Sequence, residues 1–168
     1  MTIGGNNTNA VNNVAYFTGT PGAISLLLRQ GDAIPTLPGL TAAGLGFIFN
    51  LDNNGRVLYT LTLAGAGVTA ANNESLWLYT PGVGHALLLR EGSPAPGTAG
   101  AAFSSLTGYA FPGVSPTSLT RSGKYEFTTG LLTPTLDGTR CCFVGGTAAN
   151  GAELWISDGT IAGTTLLQ

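Results

Sequence analysis

The chain reads as an all-β protein of short antiparallel strands in repeated hairpins, and three observations carry that reading. One phrase is written three times: two apolar strands joined by a turn. It runs VAYFTGTPGAISLLLRQGDAIP from residue 14, SLWLYTPGVGHALLLREGSPAP from residue 75 and ELWISDGTIAGTTLLQ from residue 153. Turn signals (Pro-Gly, Asn-Gly, Asp-Gly) punctuate the chain between apolar runs of strand length. Helical periodicity is absent throughout. This spacing suits propeller blades or a β-sandwich, with neighbouring subunits expected to complete a stack the chain leaves unfinished.

Taken in order, residues 1–13 are polar and Asn-rich and read as a flexible N-terminal arm. Thr2 and Ile3 are its early strand-formers, placed to add a strand to another chain. Residues 14–168 read as a single β-repeat domain. Its half repeat, 14–31, is a hairpin in which Tyr16 and Phe17 point to opposite faces. Leu26-Leu27-Leu28 puts leucines on both faces, as in a strand sandwiched between layers. Residues 32–43 carry Pro35, Pro38 and Gly39 and read as a loop.

The next repeat spans 47–92. Asp52-Asn53-Asn54-Gly55 turns between two strands, because Asn-Gly tolerates the positive φ a tight hairpin demands. Val57, Tyr59, Leu61 and Leu63 share one face. Leu76, Trp77 and Leu88 are expected in the core of the hairpin that follows. The third repeat, 103–168, contains an extra hairpin at 118–132, a strand at 139–145 and the closing hairpin, with Leu154, Trp155 and Leu166 as core. Phe103 and Leu106 precede a further loop.

Charged residues make up 8 % of the 168 residues, against roughly 25 % in ordinary soluble domains. The net charge of −2, with six Lys and Arg scattered singly, excludes the basic patch nucleic acid requires. No apolar run reaches the roughly 20 residues that span a bilayer, so membrane insertion is not expected. No signal peptide is read in this chain. A surface so poor in charge gives weak protection against self-association.

Two stretches resemble bacterial extracellular β-repeat proteins. Asn53-Asn54-Gly55-Arg56-Val57-Leu58-Tyr59 approximates their Asn-x-x-Gly-x-x-Ala-Phe signature. Arg90-Glu91-Gly92-Ser93-Pro94-Ala95-Pro96-Gly97 is similar to their Arg-Glu-Gly-Asp-Pro-Ala-Pro-Gly phrase, with Ser93 replacing Asp. Glu153-Leu154-Trp155-Ile156-Ser157-Asp158-Gly159-Thr160 resembles the Glu-Leu-Trp-x-x-Asp-Gly-Thr repeats of secreted propeller-like proteins. The resemblance implies four-stranded, blade-like units and a secreted or surface location. It implies no activity.

Catalytic chemistry finds little support. His85 is the single histidine, and no serine motif such as G-x-S-x-G accompanies it. Asp52-Asn53-Asn54-Gly55 lacks the alternating ligands and distal Glu of a calcium loop. Cys141 and Cys142 are adjacent in a strand, where side chains point to opposite faces. They read as buried apolar residues or, in an oxidising compartment, as an intersubunit disulfide. Asn6-Asn7-Thr8 and Asn73-Glu74-Ser75 fit the glycosylation pattern. No cofactor or metal is expected. The functional expectation is an extracellular, non-catalytic structural protein. Its partners are copies of itself, joined by β-strand contacts into a filament, surface layer or matrix. A module binding surface glycans or a protein is the alternative.

Overall fold

The structure, a computed structural model, describes residues 8–51, 54–110, 140–149 and 151–167. It is all-β, with no helix among the described residues. The strands are β1 (Ala15–Thr20), β2 (Ala23–Arg29), β3 (Leu40–Leu51), β4 (Val57–Gly65) and β5 (Glu74–Thr80). They continue with β6 (Gly84–Arg90), β7 (Phe103–Ala110), β8 (Cys141–Thr147), β9 (Gly151–Ser157) and β10 (Thr165–Leu166). Every pairing is antiparallel. Three sheets result: β1-β2, then β3-β4-β5-β6, then β10-β9-β8-β7. The extra hairpin at 118–132 lies outside the described residues, as do Thr2 and Ile3.

The sheets are layered, and alternation within the middle sheet builds a core on each of its faces. Val57, Tyr59, Leu61, Leu63 and Trp77 cluster with Tyr16, Leu27 and Leu28 of the first sheet. Leu58, Leu76 and Leu78 cluster with Phe103, Leu106 and Trp155 of the third. A sheet covered on both faces needs strands apolar on both faces, which is what β4 and β5 are. Burying a single Leu or Trp side chain in such a layer contributes about 1.5–3 kcal/mol.

The Leu-Leu-Leu runs are resolved by a β-bulge. Tyr16 pairs with Leu28 and Phe17 with Leu26, so Leu27 is the extra residue on β2. Leu76 pairs with Leu89 and Trp77 with Leu87, leaving Leu88 extra on β6 in the same way. A bulge sets two residues opposite one, and both members of each pair are buried: Leu27 with Leu28, Leu88 with Leu89. Leu26, by contrast, is 54 % exposed. Among the described residues the first sheet is therefore covered on one face, not sandwiched as its composition led us to expect.

The stretches leaving β2 and β6 are the same structure. In the first, Gly31 donates to Ala42 O, Ile34 to Leu40 O, and Ala42 back to Asp32 O. In the second, Gly92 donates to Phe103 O, Ala95 to Ala101 O, and Phe103 back to Ser93 O. These bonds pull the ends of the Pro-Gly segments into the sheets. As a result β3 begins at Leu40, inside the span read as a loop, and β7 continues from Phe103 to Ala110 where a loop was expected.

The N-terminal arm also needs correction. Residues 8–13 repeat the loop between β4 and β5. Asn12 N donates to Asn9 O as Asn72 N does to Thr69 O, and the Asn12 and Asn72 side chains each accept from the backbone N–H three residues back. The repeat thus extends into the span read as a flexible arm. The closing hairpin differs too, because residues 158–164 form a structured loop between β9 and β10 in place of a tight turn.

Candidate functional site

Trp77 and Trp155 anchor the two layer junctions. Both are fully buried, and alternation points each toward the sheet that precedes its own. The Trp77 indole donates to Ser75 Oγ at 2.8 Å, and Ser75 donates to Leu61 O at 3.1 Å. The Trp155 indole donates to Gly145 O at 3.2 Å and meets the Phe103 ring edge-on at 4.8 Å. Gly145 is required there, because a Cβ would come within 2.8 Å of the Phe103 ring. Leu76 and Leu88 are buried, while Leu154 and Leu166 are half-buried, with Leu166 packed against the same core.

The junction of the first and middle sheets carries a polar cluster. Tyr16 reaches across to donate to Gly46 O at 2.6 Å and packs edge-on against Tyr59 at 6.0 Å. Tyr59 bonds His85 Nδ1 at 2.6 Å, and the His85 ring lies 5.1 Å from that of Tyr79. Burial pushes the Tyr16 phenol up to about 12 and raises Tyr59 further, with the neighbouring Tyr16 adding to the effect. Burial lowers His85, and a hydrogen bond to the Leu27 backbone offsets part of that shift. A neutral imidazole held between Tyr59 and Leu27 joins two sheets. Its ring nitrogens are used inside the fold, against Tyr59 and the Leu27 backbone.

The remaining polar residues brace loops. Arg90 Nε donates to Asn72 O at 2.6 Å, tying the end of β6 to the β4–β5 loop. In the first copy Arg29 instead faces Asp32 at 3.5 Å. Glu91 is buried and its carboxyl is raised, chiefly by desolvation. The Asp158-Gly159-Thr160 phrase is a self-bonded loop: Asp158 Oδ1 accepts from Thr160 N at 3.0 Å and from Thr160 Oγ1 at 2.7 Å. Those two bonds hold the Asp158 carboxyl below its ordinary range. Ser75 of the Asn73-Glu74-Ser75 glycosylation pattern is fully buried at the start of β5, and Asn73 O accepts from Leu63 N.

Among the described residues no group of His, Cys, Asp and Glu could hold a metal ion. A shallow cleft lined by Ala71, Gly92, Ala102, Phe103, Ser104 and Ala148 offers small side chains beside one aromatic ring and no charged group. Cys141 and Cys142 open β8, opposite Ser157 and Ile156 of β9.

Several large apolar side chains are exposed. Phe17 is 39 % exposed, Ile24 70 % and Leu26 54 %. They form one face of the first sheet, because Phe17 pairs with Leu26 and Gly19 with Ile24. Sequence reasoning placed this hairpin between layers and so missed the open face. The signal was present in the alignment of Phe17 with Trp77, whose surroundings could be compared only in three dimensions.

The model of a family of unknown function (DUF7453) matches residues 1–159. No curated protein and no solved structure matches the chain.

Proposed function

From the premise that this chain belongs to the DUF7453 family, a family of unknown function, we propose that it is an extracellular, non-catalytic structural protein. It works by self-association into a filament, surface layer or matrix. The observation that supports this most is the open first sheet. It has two strands where each of its neighbours has four, and it exposes Phe17, Ile24 and Leu26 together. Layered repeat units do not bury their apolar faces alone and are stable when stacked on neighbours. Low charge works in the same direction, since 8 % charged residues leave little electrostatic repulsion between copies.

The experiment is sedimentation with negative-stain microscopy of the full chain across a concentration series. Concentration-dependent assemblies are expected. A compact monomer at the highest soluble concentration overturns the proposal and directs attention to glycan arrays.

A further inference from the structure

Both junctions inside the chain obey one mating rule. Each sheet carries an aromatic face and a leucine face. The aromatic face of the middle sheet, centred on Trp77, covers the leucine face of the first, centred on Tyr16, Leu27 and Leu28. The aromatic face of the third sheet, with Trp155, covers the leucine face of the middle one, with Leu58, Leu76 and Leu78. Strand register fixes the equivalences. Phe17 opposite Leu26 corresponds to Trp77 opposite Leu87, with the bulge at the same step. Leu154 and Ile156, adjoining Trp155 on either side, take the places of Leu76 and Leu78, since Trp155 pairs with Phe143 as Trp77 does with Tyr59.

Two faces are left over among the described residues. At one end Phe17, Ile24 and Leu26 are exposed, although Trp77 at the position of Phe17 is fully buried. At the other end Leu154 and Ile156 are half-buried, as is Val144, which pairs with Leu154. Leu167, bonded through its N–H to Leu154 O, is 49 % exposed. Their counterparts Leu76 and Leu78 are buried.

We propose that the Phe17–Ile24–Leu26 face of one copy docks on the Leu154–Ile156 face of a second copy, head to tail, repeating the junction that the chain builds twice within itself. The occupant is a second copy because the structure shows what covers each type of face: the opposite type, from a sheet of the same repeat. The contact is heterologous, so each copy keeps one free face of each kind and the chain of copies can extend. This inference rests on the self-association proposed above and assigns it a surface.

The test uses the full-length chain carrying Phe17→Glu or Ile156→Glu, with circular dichroism to show that each variant is folded. Leu167→Glu replaces the second should Ile156→Glu unfold. Each variant alone is expected to lose self-association, its apparent dissociation constant rising about 30-fold or more, as on loss of a central anchor. Mixed in equal amounts, the two should form dimers and nothing longer, because one intact head still meets one intact tail. A mixture that stays monomeric overturns the docking. So does either variant assembling as the wild type does, in which case self-association itself stands through another contact. A wild-type chain that never assembles removes both proposals.

Discussion

Ser75 and Glu153 hold the same place in two copies of the repeat and do opposite things. The Ser75 hydroxyl accepts the Trp77 N–H. Glu153 Oε2 is buried and has no hydrogen-bond partner among the described residues. Replacing Glu153→Ser should remove the orphaned oxygen and offer Trp155 the hydroxyl Trp77 already has, raising stability by about 1 kcal/mol in urea unfolding. Ser75→Ala should cost about 1–3 kcal/mol, since it strands the buried indole N–H. His85 supplies a second expectation. Burial holds it below its ordinary value of about 6.5, so between that value and the lowered one the unfolded chain binds more protons. Stability contributed by the neutral ring is then complete above about 6.5 and is lost as pH falls through that window. Denaturation midpoints from pH 7.5 to 5 should fall more steeply for the wild type than for His85→Gln, which keeps an acceptor for Tyr59. The two tryptophans could be read as equivalent from their Leu-Trp phrases. The partner of the Trp155 indole could not, because Gly145 enters from another strand, whereas Ser75, which accepts from Trp77, lies two residues before it.

At the scale of elements, the hairpins were legible because turn chemistry and alternation agree within a few residues. The Leu-Leu-Leu-Arg phrase also encodes its bulge, with one leucine for the aromatic face and two for the other. What stayed hidden depends on bonds formed across the sequence. Leu40–Ala43 joins β3 through bonds to Gly31, Asp32 and Ile34, which no local pattern announces. The β7 stretch FSSLTGYA has too weak an alternation to declare itself a strand. The connectors yield a prediction of their own. Gly92 has φ +77 and a Cβ there would lie 3.2 Å from the Asn72 side chain. Gly97 has the same φ with open space around it. Gly92→Ala should therefore cost about 1–3 kcal/mol and exceed the cost of Gly97→Ala, as thermal unfolding would measure. Equal costs would mean that the approach to Asn72 is not constraining.

At the scale of the whole molecule, an all-β architecture of antiparallel hairpins was visible in the spacing of three hairpin phrases. The directionality of the stack was not, because it depends on which side of each sheet its neighbour occupies. Assembly through apolar faces has a signature in solution. Ammonium sulfate should strengthen it and cooling should weaken it. Sodium chloride should change it little, since few charges are present to be screened. Light scattering across these conditions checks the expectation, and strong dissociation by sodium chloride would point to ion pairs instead. The Arg-Gly connector from one sheet to the next, built with the same bonds after β2 and β6, has an evolutionary corollary. A lineage can duplicate or delete whole units between two such joints while the terminal surfaces stay the same. Chain length is then free to drift without inventing a new coupling, much as a train accepts another carriage.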